Sequence, residues 1–279
     1  MNRIPTVGYQ GVPGAFSEVA ALEFFGAARP KPFDTFREIF EAVKAHRIDC
    51  GIVPIENTLA GSILENYDHL LHFRLHAVGE HVLRIVHNLI ALPGVKTAGI
   101  RTIHSHPVAL AQCKRFLRRH AAWKVVPAFD TAGSVRDMLR AGARDRAAIA
   151  SSRAAEVYRC RILAKGIEDH HHNYTRFLIV TRTPNRGPAD KASLVVEAKH
   201  RPGSLHRILG AFASRRINLT KLESRPIPGK PWEYFFYIDI AADPGAPAAR
   251  AALAEVRRHT DLFRLVGRYR KSPLSDLRS

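Results

Sequence analysis

The chain has 279 residues, 46 % of them apolar, and sets 43 Lys and Arg against 25 Asp and Glu for a formal net charge of +18. That length predicts two domains, or one bilobed domain with an appendage, and its most apolar-rich region, residues 81–92, is broken by Arg84, His87 and Asn88, too polar for a membrane-spanning helix. The basic residues are scattered, not gathered on a recognition helix or basic sheet, which argues against nucleic acid as a partner, and three cysteines without metal-ligand spacing read as reduced thiols in a cytoplasmic protein.

Met1-Asn2-Arg3 runs into strand-like Val7-Gly8-Tyr9-Gln10, so no signal peptide is expected. The turn Gly11-Val12-Pro13-Gly14 then leads to a helix over residues 16–25. Thr35 with Glu38 forms a capping box that opens a helix to His46. Cys50-Gly51-Ile52-Val53 is a buried-strand run, and Ser62 with Glu65 predicts a second capped helix carrying Leu64, Leu70 and Leu71. Pro54-Ile55-Glu56-Asn57-Thr58 is left as a loop at the carboxyl end of a strand, where open α/β sheets bind ligands.

An extended stretch covers residues 75–92, after which strand–helix units recur: 101–104 into 107–119, 124–127 into 133–141, and 147–150 into 153–158. A strand over 177–181 closes the region. This alternation predicts α/β architecture. Residues 75–92 and 166–175 read as connections between two lobes, with a cleft between them. Residues 183–190, rich in Pro and Gly, form a linker. Beyond it come strand 193–198, helix 205–215, strands 218–224 and 233–240, helix 246–260 and strand 263–269, a ferredoxin-like βαββαβ unit.

Asn173-Tyr174-Thr175-Arg176-Phe177 carries the chemistry. Neighbours on a strand point to opposite faces, yet at the frayed start of one a hydroxyl and a guanidinium can both turn into a cleft. Such a pair suits a small anion that must lose a hydroxyl; the plainer alternative is an edge strand with Thr and Arg in water. Ser105 either donates to a ligand or caps the helix that begins near Pro107. His106 either polarises a substrate group or is a structural histidine at that helix start. Asp169-His170-His171-His172 cannot bring three consecutive imidazoles onto one ion, so it reads as a polar loop.

Read together, these segments resemble the prephenate dehydratase family in its monofunctional form, with a C-terminal ACT regulatory domain. The resemblance rests on residues 9–18, 54–62, 105–113, 130–133 and 173–177, and on Glu223-Ser224-Arg225-Pro226. The chain departs from the pattern at Val108, where the family usually has Gln, and at Ser204, where it often has Ala.

The resemblance implies a bilobed catalytic domain of the type II periplasmic-binding-protein kind over residues 1–183. One lobe would take about 1–78 and 173–183, the other about 79–172. A linker over 184–191, an ACT domain over 192–271 and a tail over 272–279 follow. The implied reaction is decarboxylating dehydration of prephenate to phenylpyruvate, with no metal or organic cofactor and with feedback by L-phenylalanine. Thr175 and Glu56 are the candidates for assisting departure of the hydroxyl, by hydrogen bonding and as a general acid respectively. Asn57, Thr58, Ser105, Gln112, Arg176 and Phe177 would hold substrate, Arg176 through a carboxylate. Gly203, Ser204, Leu205, Asn218, Leu219, Glu223, Ser224, Arg225 and Pro226 would hold the effector, its carboxylate at the helix start and its ammonium at Glu223. A homodimer or homotetramer is implied, with neither nucleic acid nor membrane as partner. Arogenate dehydratase activity and a non-catalytic bilobed ligand sensor are the alternatives.

Overall fold

The computed structural model describes residues 4–227 and 229–273, so residues 274–279 of the expected tail lie outside the described residues. The chain divides into two compact units. Among the described residues, one comprises those up to Ile63 with Val82–Phe177, and the other Leu64–His81 with those from Leu178.

The elements up to the linker are β1 (Thr6–Gln10), α1 (Phe16–Phe25), β2 (Arg29–Phe33), α2 (Phe36–Lys44), β3 (Cys50–Asn57), β4 (Gly61–Ser62), α3 (Leu64–Phe73), β5 (His76–Arg84) and β6 (Asn88–Ala91). They continue with β7 (Thr102–Ser105), α4 (Pro107–Gln112), α5 (Lys114–Arg118), β8 (Lys124–Pro127), α6 (Thr131–Arg140), β9 (Arg146–Ala150), α7 (Ser152–Val157), β10 (Arg161–Ala164) and β11 (Tyr174–Thr181). In the first unit they build two sheets, one per lobe. The first runs β11-β3-β1-β2 with β4 folded back on β3, and the second runs β10-β6-β9-β7-β8. Parallel pairs β1–β2, β1–β3, β7–β8 and β7–β9 carry the α/β pattern, and fully buried Val7, Ile52, Phe40, Ile103 and Ile149 fill the cores.

Local chemistry explains most boundaries. Thr35 accepts from the Glu38 amide in the expected capping box and starts α2. Gly26, at φ +64°, ends α1 and returns its N–H to the Leu22 carbonyl. Three expectations need correction. Pro54, Ile55, Glu56 and Asn57 are the end of β3, not a loop. The β1 ladder stops at Gly51, so the missing N–H of Pro54 leaves no gap in it. The expected connection over 75–92 contains strands β5 and β6. The helix expected over 107–119 breaks at Cys113, whose φ of −118° separates α4 from α5. Edge strand β2, Arg-Pro-Lys-Pro-Phe, carries no apolar alternation and gives no sequence signal.

The second unit holds β12 (Lys191–Ala198), α8 (Ser204–Ala213), β13 (Leu219–Ile227), β14 (Lys230–Ile240), α9 (Pro247–Arg258) and β15 (Thr260–Tyr269). Their sheet order, β13-β14-β12-β15, with antiparallel pairs throughout, is the ferredoxin-like arrangement. Helices α8 and α9 cover one face, packing Ile208, Phe212 and Val256 on Leu194, Val196 and Ile238. Helix α3 takes the other face: the Tyr67 ring lies 4.5 Å from that of Tyr237, and the Tyr237 hydroxyl donates to Asp68 at 3.0 Å. Residues expected in the first lobe therefore group with the C-terminal domain.

Candidate active site

The site begins where β3 ends. Asn57 Oδ1 accepts the amides of Leu59 (3.0 Å) and Ala60 (2.9 Å), an Asx turn that closes the β3–β4 hairpin. That fixes the carboxamide: its nitrogen must face the other way. Nδ2 accordingly donates to Asn173 Oδ1 at 2.8 Å, to Thr175 Oγ1 at 3.0 Å and to the Tyr174 carbonyl at 3.1 Å. Thr175 is 8 % exposed. Its oxygen receives a hydrogen, so its own hydrogen is left for an acceptor, and no second side-chain hydrogen bond of Thr175 occurs among the described residues.

The sequence neighbours of Asn57 and Thr175 form a second pair. Arg176 Nε stands 4.0 Å from Glu56 Oε2, with the guanidinium side chain 12 % exposed and the carboxylate 37 %. In this arrangement the carboxylate facing Arg176 is the protein's own.

Gln112 reaches the same place from the other lobe, at the end of α4. Its Oε1 accepts from Asn173 Nδ2 at 2.9 Å and lies 2.8 Å from His87 Nε2. Asn57, Gln112 and Thr175 are thus brought together, with Asn173 between them.

Three other expected residues are engaged elsewhere. The Thr58 hydroxyl donates to the His172 carbonyl and accepts the Tyr174 amide, both at 3.0 Å, so it pins the approach to β11. Ser105 is fully buried and donates to the Ile149 carbonyl at 2.6 Å, tying β7 to β9. Phe177 is a core residue. The cap of α4 is His106, whose Nδ1 accepts the Val108 amide at 3.2 Å, and not Ser105.

A second seam joins the lobes at the turn Gly11-Val12-Pro13-Gly14. Asp130 caps α6 through Oδ1 to the Ala132 amide (3.0 Å) and accepts the Val12 amide on Oδ2 (3.3 Å). Ser151 caps α7 by accepting the Ala154 amide (3.0 Å) and donates to the Gly14 carbonyl at 2.5 Å. Glu18 accepts the Gly14 amide at 2.6 Å, with Arg153 3.8 Å away. Two helix caps in one lobe therefore clasp a turn of the other. Buried beneath, Tyr9 keeps its proton: burial, then the nearby Glu18 carboxylate, pushes its hydroxyl well above the usual range. Sequence reasoning missed Asp130, Ser151, His87 and the linking role of Asn173. Motif spacing alone signalled Asp130, through the Asp130-Thr131-Ala132-Gly133 segment.

All three thiols are raised above the usual range, chiefly by burial. Burial pushes Cys50 up to about 12, and Cys113 is raised by burial and then by Glu168. Among the described residues no group of three or more His, Cys, Asp or Glu side chains gathers as a metal site, and none of the helices is long and apolar enough to cross a membrane.

In the second unit Gly203, at φ +80°, precedes α8, and Ser204 opens it. Leu205 follows in the helix, Asn218 accepts the Ala241 amide, and Leu219 packs on the helix-covered core. Ser224 and Pro226 sit opposite Phe236 and Tyr234, on the helix-covered side where Phe236 packs. Glu223 and Arg225 sit opposite Tyr237 and Phe235, on the α3 side. There Arg225 is bonded by Asp68, and Glu223 lies 3.5 Å from Lys221. The helix start and Glu223, expected to share one ligand, therefore lie on opposite faces of a single chain's sheet.

Comparison with known proteins places the chain in a family. The family model described as prephenate dehydratase matches residues 7–185, and the ACT domain model matches 192–258. Arogenate dehydratase 1 of Petunia hybrida is 42 % identical over 94 % of this chain and 66 % of its own length. Arogenate dehydratase/prephenate dehydratase 6, chloroplastic, of Arabidopsis thaliana is 41 % identical over 94 % and 68 %. The chain thus spans about two thirds of the length of these relatives. A solved structure described as a novel type of quorum quenching acylase aligns with a TM-score of 0.90 at 33 % identity, covering 96 % of this chain and 99 % of that one. The prephenate dehydratase of Arthrobacter aurescens in complex with L-Phe aligns with a TM-score of 0.86 at 33 % identity, covering 95 % and 90 %. The expected cytoplasmic location is overturned: the Arabidopsis thaliana relatives are named chloroplastic.

Proposed function

Because the chain belongs to the prephenate dehydratase family and carries an ACT domain, we propose that it converts prephenate to phenylpyruvate, carbon dioxide and water, with L-phenylalanine as its feedback effector. The observation that carries this reading is the Asn57 amide on the Thr175 oxygen, which leaves the Thr175 hydroxyl as a hydrogen-bond donor.

Prephenate is a dianion with one carboxylate on the quaternary ring carbon and one on the pyruvyl side chain. The bond to the ring carboxylate breaks, its electron pair enters the ring, and the 4-hydroxyl leaves as the ring becomes aromatic. The chemistry is downhill, so the protein has to orient the dianion and ease departure of the oxygen. Thr175 donates a hydrogen bond that strengthens as charge grows on that oxygen, and stabilisation confined to the transition state raises turnover. Glu56 is the alternative donor, but Arg176 already stands beside its oxygens. Arg176 takes the pyruvyl carboxylate. Clamping the departing ring carboxylate instead would favour the ground state. The free Gln112 amide nitrogen and the Asn57 region complete the cradle. Catalysis is assigned to residues 1–183, the linker to 184–191 and effector binding to 192–271.

A second reading has specific support: relatives at 42 % identity are named arogenate dehydratases. The two substrates differ only in a keto or an ammonium group on the side chain. Presenting both together and measuring phenylpyruvate against L-phenylalanine decides between them, and failure to consume either sinks the dehydratase reading. The acylase description of one structural neighbour calls for a hydroxyl beside a base. Ser105 and Ser151 instead donate to backbone carbonyls, and Thr175 receives from an amide.

The effector reading implies more than one copy. With Gly203–Ser204 and Glu223 on opposite faces of one sheet, an amino acid that touches both needs a second chain, which supports a homodimer or homotetramer. Sedimentation with and without L-phenylalanine tests it, and a monomer under both conditions refutes it.

A further inference from the structure

His87 lies outside every segment that carries the chemistry, yet it is 2 % exposed and ends a line of amides that starts at Thr175. The direction of each bond in that line follows from the one before. Two backbone amides occupy Asn57 Oδ1, so Asn57 Nδ2 faces Thr175 and Asn173. Asn173 Oδ1 is therefore an acceptor, and its Nδ2 donates to Gln112 Oε1. Gln112 Oε1 accepts, so the imidazole nitrogen 2.8 Å away carries a hydrogen. A bare Nε2 there would set acceptor against acceptor, and turning Gln112 round to suit it would set two donors against each other at Asn173.

Taking the dehydratase reading as its premise, we propose that His87 is a positioning residue: as the Nε2–H tautomer it locks the amide relay Gln112–Asn173–Asn57 in the one polarity that leaves the Thr175 hydroxyl and the Gln112 NH2 as donors to the substrate. Both free donors suit an acceptor-rich dianion. The surroundings are built to hold this ring. Phe16 packs on it edge-on with centroids 5.6 Å apart, and Glu168 accepts its backbone amide at 2.9 Å. Nδ1 is buried without a hydrogen-bond partner among the described residues, as a bare nitrogen can be with less penalty than a buried N–H. Burial favours the neutral ring, against smaller opposing effects of the Gln112 bond and the Glu168 charge.

Ring 15N spectra of the labelled protein near neutral pH, assigned by the signals that vanish in His87→Gln, test the tautomer directly. A hydrogen on Nε2 with a bare Nδ1 is expected, and the opposite tautomer overturns the proposal. Turnover of prephenate gives the second readout. His87→Leu, which offers no donor, is expected to lose about tenfold or more, while His87→Gln, whose amide can donate from nearly the same point, stays within about threefold of wild type. Wild-type turnover in His87→Leu, or equal losses in both variants at matched melting temperatures, overturns the relay. Should His87→Leu not fold, the spectrum and the Gln variant decide. Should the wild type not consume prephenate, the preceding reading fails while the spectrum still judges the relay.

Discussion

The carboxamide of Asn57 donates to the hydroxyl oxygen of Thr175 at 3.0 Å, joining residues 118 positions apart. The bond does more than hold two strands together, because it decides which way the hydroxyl hydrogen points. Thr175→Val removes the donor and is expected to cost on the order of a hundredfold in turnover, whereas Thr175→Ser keeps it and retains much of the rate. A Val variant near wild type removes Thr175 from the reaction.

Asn57→Asp is the sharper change, since it alters polarity with almost no change in shape. A carboxylate cannot donate to Thr175, so the hydroxyl turns to donate to residue 57 and is lost to the substrate. Turnover is expected to fall at least tenfold, by more than any change in KM, with the fold retained by circular dichroism. An unchanged kcat would show that the direction of this hydrogen bond is irrelevant.

Gly14 tests the clasp between the lobes. It sits at φ +93°, and a Cβ there would lie 2.6 Å from Ala154 Cα in α7. Gly14→Ala meets both backbone strain and a clash with main chain that cannot move alone, so a loss of about 2–4 kcal/mol is expected. Ser151→Ala, which forfeits a cap and the bond to the Gly14 carbonyl, is expected to cost about 1–2 kcal/mol. Urea unfolding measures both. A Gly14→Ala protein as stable as wild type would mean that the seam opens freely.

What the sequence could show follows from how local each signal is. Helix α2 is legible because Thr35 and Glu38 cap it within four residues, and the C-terminal βαββαβ pattern because its turns and apolar runs alternate cleanly. The end of β3 is not legible, since Pro54 and the polar pair Glu56-Asn57 resemble a loop until the β4 hairpin is seen. Ser105 and Thr58 looked like ligand donors because nothing nearby reveals that their hydroxyls are spent on carbonyls of residues 149 and 172. His87 carries no motif at all. Its meaning arises only when Gln112 and Asn173 arrive from elsewhere in the chain.

Acid sensitivity should show the buried imidazole. The folded protein holds His87 below the ordinary histidine range because burial disfavours its charged form. The unfolded chain takes up a proton near pH 6.5 while the native state still refuses it, so this stabilisation is complete above that pH and is lost as pH falls from there toward the lowered native value. His76 and His104 are shifted the same way, also chiefly by burial. The melting temperature is therefore expected to decline from about pH 7 to about pH 5.5, and His87→Gln to flatten that decline without abolishing it. A wild-type curve that is level over this range, or one unchanged by the substitution, would place the proton elsewhere.

Asp68 offers the last test. It lies on α3, which follows the Asn57 hairpin after Ile63, and it bonds both Arg225 and the Tyr237 hydroxyl. Arg225 belongs to the segment proposed to hold L-phenylalanine. If that guanidinium serves the effector, Asp68 competes for it with the bound amino acid. Asp68→Asn keeps the size and can still accept from Tyr237 but surrenders the charge. L-phenylalanine is then expected to inhibit at a concentration about fivefold lower, while turnover without it stays within about twofold of wild type. Inhibition curves for the two proteins, measured side by side, decide the point. An unchanged or weakened response would mean that Asp68 fastens α3 to the sheet and takes no part in regulation.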